Sequence, residues 1–264
     1  MAIITDKLII EKNSGIGRIT FNNPDKLNAL SFEMWRDIPV VLDDFSTDPA
    51  IRVVIVSGNG NKAFCVGADI SEFKEKRSSE DDIAEYQEAG LRASEALASV
   101  EIPTIAKIGG YCIGGGVGIA LCCDLRIAND QSRFGVPAAK LGLGYKLEGL
   151  QRLVDVVGPA MAKEIFYTAR QFNAEEALAM GLANRVLPAT ALDSFVEDYA
   201  RRISENAPLT IRAAKIVIAE TLKSGEARDE ELARRVVDEC FESADYLEGQ
   251  KAFMEKRKPK FLGK

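Results

Sequence analysis

Apolar residues along the 264-residue chain follow two rhythms. Short runs at 8–11, 17–21, 51–57, 103–108 and 124–128 stand between turn-forming residues and predict strands, whereas longer stretches with i, i+3, i+4 spacing predict amphipathic helices. Residues 8–11 and 17–21 flank Asn13-Ser14-Gly15, so the chain is expected to begin with a hairpin. The run IRVVIVS at 51–57 is almost continuously apolar between Asp48-Pro49 and Gly58-Asn59-Gly60, the pattern of a strand covered on both faces. Ser31 suits the N-cap of a helix reaching residue 44, with Glu33 near its positive end, and Pro39 predicts a kink or break within it. An acidic start followed by Ile83, Leu91, Ala96 and Leu97 predicts a long helix over 79–100.

Beyond residue 141 the pattern is mostly helical: 149–157, 159–168, 174–180 ended by Gly181, 191–206, 208–223 and 229–256, with a short strand at 185–187. Ala207-Pro208 is the expected hinge between a core at 1–206 and a helical module at 207–264, whose apolar faces suit a neighbouring subunit. A strand–turn–helix unit occurs twice, each time with a glycine loop at the carboxyl end of a buried strand, where α/β sheets bind ligands. The first loop, 61–70, carries AFCVGADI; the second stretch, 109–124, reads GGYCIGGGVGIALCCD. Gly114-Gly115-Gly116 opens the helical run 117–123, and free N–H groups at a helix start offer donors to a developing oxyanion. The same glycines equally suit a tight turn or close helix–sheet packing.

Composition narrows the chemistry. With 47% apolar residues, 28% charged residues and a net charge of −6, the chain reads as one large α/β domain with an appendage. No basic stripe interleaved with aromatics occurs, so nucleic acid is not an expected partner; the dense basic run, Lys256-Arg257-Lys258 with Lys260, is C-terminal. The start lacks the pattern of a secretory signal and no apolar run approaches about 18 residues, so a soluble cytoplasmic protein without membrane contact is expected. The chain has no histidine, which removes serine–histidine and cysteine–histidine schemes and most zinc sites, and no metal is expected. Cys65, Cys112, Cys122, Cys123 and Cys240 are odd in number without CxxC spacing and read as reduced, buried side chains; Cys65 and Cys112 flank the glycines, but a catalytic thiol is disfavoured.

Seven segments in order resemble the crotonase, or enoyl-CoA hydratase/isomerase, superfamily: NNPDKLNALS at 22–31, AFCVGADISEF at 63–73, IPTIAKIGGYCIGGGVGIALCCDLRIA at 102–128, FGVPAAKLGLG at 134–144, GLQRLV at 149–154, AEEALAMGLANRVLP at 174–188 and AFMEKRKPKF at 252–261. The resemblance implies a ββα spiral core, a C-terminal helical trimerisation module, and a homotrimer or dimer of trimers. It implies a coenzyme A thioester as substrate and no permanently bound cofactor. The thioester oxygen would be held by the backbone N–H groups of Ala68 and Gly115. CoA contacts carry over to Lys26 and Leu27, to Val66, Asp69 and Ile70, and to Phe253 and Lys256 as a phosphate clamp.

Two positions depart from the hydratase pattern. Enoyl-CoA hydratases place glutamates three residues after the middle glycine of the GGG and directly after the proline of FGxPE; here those positions are Gly118 and Ala138. Replacement candidates stand in LGLGYKLEG. Tyr145 resembles a tyrosine of the superfamily's methylmalonyl-CoA decarboxylases, which nevertheless keep a glutamate after their GGG-like turn and have histidine where this chain has Ala68. Lys146 occupies the place of an active-site aspartate in some relatives. The first expectation is therefore a lyase that decarboxylates a short malonyl-type CoA, since loss of CO₂ makes the enolate without proton abstraction; Lys146 would orient the carboxylate and Tyr145 protonate the carbanion. A hydratase or isomerase with a relocated acid/base such as Glu148, and a non-catalytic CoA-binding homologue, are the alternatives.

Overall fold

The computed structural model describes residues 4–69 and 80–264. Strands β1 (Leu8–Asn13) and β2 (Ile16–Phe21) form the expected hairpin at the edge of a six-stranded sheet. From β2 the sheet continues in parallel through β3 (Val53–Gly58), β5 (Thr104–Ile108), β7 (Leu125–Asn129) and β10 (Arg185–Leu187), in the order β1-β2-β3-β5-β7-β10. The continuous apolar run of β3 follows from burial on both faces. Val54 and Val56 enter the larger core with Trp35, Phe45 and Phe64, while Val53 and Ile55 enter a smaller core with Leu192, Val196 and Ala200 of α7 (Leu192–Ser204).

A second sheet, order β4-β6-β8-β9, comprises β4 (Ala63–Cys65), β6 (Tyr111–Ile113), β8 (Arg133–Gly135) and β9 (Phe172–Asn173). The first three run parallel and β9 antiparallel. At two or three residues each, these strands are too short to show a period of two, and residues 63–65, expected within a loop, become a strand only because β6 pairs with them. This second sheet carries both glycine turns.

Two helix expectations change and one holds. Pro39 does not break α1 (Phe32–Thr47): Met34, Ile38, Val41, Leu42 and Phe45 bury one face, and that packing overrides the local cost of proline. The helices expected at 149–157 and 159–168 are both present within α5 (Leu147–Thr168), separated by a kink at Gly158, whose φ of 74° and ψ of 164° are not helical. The last helix divides into α9 (Glu230–Glu242) and α10 (Ala244–Met254), because the extended Ser243 ends one and caps the next, accepting the Tyr246 N–H at 3.1 Å. The remaining helices are α2 (Glu80–Ser99), α3 (Gly115–Cys122), α4 (Ala138–Leu141), α6 (Ala174–Ala179) and α8 (Pro208–Leu222).

Ion pairs and a returning tail tie the C-terminal helices to the core. Lys215 Nζ lies 2.9 Å from Asp124 and donates to the Ile102 carbonyl at 3.0 Å; Arg212 joins Glu101 and Glu239. The buried Asp245 accepts the N–H groups of Leu262 and Gly263 at 2.6 and 2.8 Å, folding the tail back along α10. A groove of about 800 Å³ between α8, α9 and α10 is lined by Phe241, Tyr246, Phe253 and Phe261.

The first turn of α3 meets β4 without room for a side chain. A Cβ on Gly116 would lie 2.1 Å from the Cys65 carbonyl oxygen, whereas one on Gly118 would meet nothing within 4 Å. Gly116→Ala is therefore expected to destabilise the fold by about 1–3 kcal/mol. Gly118→Ala should be neutral or stabilising by up to about 1 kcal/mol through helix propensity. Urea denaturation of both variants checks the contrast.

Candidate active site

The two glycine turns meet through backbone geometry. Leu30 forms an isolated parallel bridge with Ala68: its N–H donates to the Gly67 carbonyl at 2.8 Å, and its carbonyl accepts the Asp69 N–H at 2.9 Å. Both bonds flank residue 68, so the N–H of Ala68 itself points away from Leu30. On the other side, the Gly114 N–H donates to Gly135 at 2.8 Å and its carbonyl accepts the Gly118 N–H at 3.2 Å. Gly114 has φ 57° and ψ −119°, a conformation side chains disfavour, and it turns the chain from β6 into α3. Gly115 is the first helical residue, so its N–H has no acceptor within the helix.

The two amides lie against each other. A Cβ on Gly115 would stand 3.7 Å from Ala68 N and 3.2 Å from Gly67 Cα, and a Cβ on Gly67 would stand 3.0 Å from Gly115 N. Among the described residues neither amide has an acceptor. Two adjacent, unsatisfied donors at a helix start suit one oxygen bearing negative charge.

The CoA candidates divide into two groups. Lys26 and Asp69, 43 positions apart, form an ion pair of 2.7 Å in which Asp69 is buried and Lys26 half exposed. Leu27 follows the 3-10 turn Pro24–Lys26 in the left-handed region with φ 53°, and Val66 is half-buried one residue before Gly67. Asn28 holds this side together, donating to the Asn59 and Ala63 carbonyls at 3.0 and 2.7 Å. Ile70 lies outside the described residues. Phe253 and Lys256 stand exposed at the end of α10, with Phe253 83% exposed.

Neither hydratase glutamate position is refilled by a neighbouring backbone element. Gly118 faces open space one turn into α3, and Ala138, at 3% exposure, begins α4 within the apolar core. The ring of Tyr145 packs edge-on against Phe166 at 4.9 Å, and desolvation raises its phenol above the ordinary range, keeping it a proton donor at neutral pH. Lys146 is the exposed N-cap residue of α5, and Glu148 is exposed in its first turn.

Sequence reasoning passed over one residue here and read another only as a buried thiol. Arg152 of α5 is half-buried, has no hydrogen-bond or ion-pair partner among the described residues, and lies close enough to Cys122 of α3 to favour its thiolate. It lay inside GLQRLV, where only its motif was read. Cys65 is fully buried, and its Sγ accepts the Gly67 N–H at 3.3 Å. Its place two residues before the GAD glycine was the available signal. No cluster of three or more metal-ligating side chains occurs among the described residues, and none of their helices is long and apolar enough to cross a membrane.

The sequence model of the enoyl-CoA hydratase/isomerase family matches residues 11–264. The chain belongs to that family. It is 34% identical to crotonyl-CoA hydratase of Syntrophomonas wolfei over 98% of this chain and 99% of that protein. Among solved structures, an enoyl-CoA hydratase/carnithine racemase from Magnetospirillum magneticum superposes with a TM-score of 0.90 at 36% identity, covering 98% of this chain and 97% of the other. Enoyl-CoA hydratase of Bacillus anthracis superposes with a TM-score of 0.92 at 29% identity, covering 98% and 100%. The crotonase fold expected from the seven segments, with its helical C-terminal region, is the fold of this chain, and the family's substrates are acyl-CoA thioesters.

Thiol chemistry gives a direct check on the interior beneath the site. Burial pushes Cys65 up to about 12 and also raises Cys112, Cys122 and Cys123, so all four remain protonated and unreactive at mildly alkaline pH. Cys240 is the half-buried exception. A colorimetric thiol titration is expected to release one equivalent in the native protein and five after denaturation.

Proposed function

We propose that this chain is an acyl-CoA enzyme that holds a thioester oxygen between the N–H groups of Ala68 and Gly115 while enolate character develops. The observation that carries the reading is the pair of adjacent amides, both without an acceptor among the described residues. Each such donor is typically worth about 3–4 kcal/mol of barrier, because it is already oriented before charge appears. Lys26, Leu27, Val66 and Asp69 would line the approach of CoA, with Phe253 and Lys256 clamping phosphate. The apolar groove beside Phe253 suits a neighbouring copy, in keeping with a homotrimer or dimer of trimers.

For the reaction itself, the relatives named hydratases shift the weight from decarboxylation to enoyl-CoA hydration or isomerisation. The acid/base group would then be relocated, with Glu148 as the candidate. General acid–base help is worth about 10²–10⁴-fold per group, so such an enzyme would be slow beside one with both glutamates.

Decarboxylation of a malonyl-type thioester is the second reading. It is favoured by the open space at Gly118, the apolar burial of Ala138, and two cations of the first turns of α5, exposed Lys146 and half-buried Arg152, the latter without an ion-pair partner among the described residues. Tyr145 would protonate the resulting carbanion.

Steady-state assays with crotonyl-CoA and methylmalonyl-CoA on one preparation separate the readings. Slow crotonyl-CoA hydration or isomerisation that falls at least about tenfold in Glu148→Gln is the expected result. Turnover of methylmalonyl-CoA alone, reduced in Tyr145→Phe and Lys146→Ala, would establish the second reading instead. Binding of CoA by calorimetry with no turnover of either thioester would mark a non-catalytic homologue.

A further inference from the structure

Cys65 is fully buried at the end of β4, three residues before Ala68, and no step of the proposed reaction uses its sulfur. Its surroundings nevertheless touch both halves of the donor pair. On one side, Sγ accepts the Gly67 N–H at 3.3 Å, and its S–H reaches toward the Gly67 carbonyl at 3.9 Å. That same carbonyl accepts the Leu30 N–H, and the peptide it belongs to also contains the Ala68 N–H. On the other side, the Cys65 carbonyl is the surface against which Gly116 packs in the first turn of α3, directly after Gly115.

We infer that Cys65 is a positioning residue of the oxyanion site: its sulfur fixes the orientation of the Gly67 peptides, so that Ala68 N–H stands beside Gly115 N–H before a thioester arrives. The physical case has three parts. Gly67 has φ 95°, a conformation with many alternatives for a glycine, so without a side-chain anchor the turn would sample other orientations. The Gly67 N–H is buried, and Sγ is its acceptor; removing the sulfur would leave an orphaned donor that the turn relieves by moving. The thiol is also neutral, because burial keeps its proton on, so the acceptor adds no negative charge beside the oxygen that the amides must stabilise.

The inference rests on the oxyanion reading above, and the test separates the two. Infrared difference spectroscopy of crotonyl-CoA labelled with ¹³C at the thioester carbonyl reports hydrogen bonding to that oxygen without requiring turnover. Wild-type protein is expected to lower the carbonyl stretch relative to free thioester. Cys65→Ala and Cys65→Val both remove the acceptor, valine leaving no cavity, and each is expected to lose about half of the downshift, as for one of two donors misaligned. Cys65→Ser, which can still accept the Gly67 N–H, should restore most of it. Affinity for free CoA, measured by calorimetry, should stay within about twofold in all three, which a general collapse of the site would not permit.

A full wild-type downshift in whichever non-accepting variant folds would overturn the positioning role of Cys65 while leaving the oxyanion reading intact. No downshift in the wild-type protein, with thioester bound, would instead overturn the oxyanion reading itself.

Discussion

The structure depends on bringing two backbone amides from separate turns to the same place, neither with an acceptor among the described residues. Ala68 and Gly115 are half-buried, and the fold imposes their arrangement. It does so through contacts that exclude side chains: Gly67 against Gly115, and Gly116 against the carbonyl of Cys65. The bridge from Leu30 uses the groups on either side of Ala68 and turns its N–H toward α3. The second sheet, with strands of only two or three residues, is the frame that brings β4, β6 and β8 into register for this purpose.

Charge around the site is arranged in the same sense. α3 contains no charged residue, so its N-terminal field is undisturbed by side chains of its own. At its other end the buried Arg126 donates to the Cys123 carbonyl at 2.8 Å and to Leu182 at 2.8 Å, placing a cation where the helix dipole is negative. Burial lowers the pKa of that guanidinium from a very high value without discharging it at neutral pH. What the site lacks is carboxylate at Gly118 and Ala138, so stabilisation of an enolate and transfer of its protons are separate problems here. In the proposed reading, backbone serves the first and side chains at the start of α5 the second.

Most of the large sheet was legible in the chain itself. Val53–Val56 of β3 form a continuous apolar run because alternate residues enter different cores, and Ser31 and Asn173 act as helix caps, Ser31 as its residue type predicts. The strands of the second sheet were not legible, since three residues carry no period and pairing alone defines them. Pro39 pointed to a break that the buried face of α1 suppressed. At the site, Ala68 and Gly115 were identified through the family resemblance, because a backbone donor leaves no mark on side-chain pattern. Arg152, and the contact of the buried Cys65 with Gly67, escaped for the opposite reason: these residue types are common in structural roles, and only their neighbours make them informative.

By itself the sequence determined the strands of the large sheet and most of the helices, the absence of histidine chemistry, and the absence of both hydratase glutamates, because each follows from residue identity and local pattern. Only tertiary structure decided that Lys26 meets Asp69, that Gly118 faces open space while Ala138 is buried, and that two amides 47 positions apart stand side by side. Those are distances between parts of the chain with no local tie. Packing of one glycine turn against the other sets them, and local pattern carries no information about such contact.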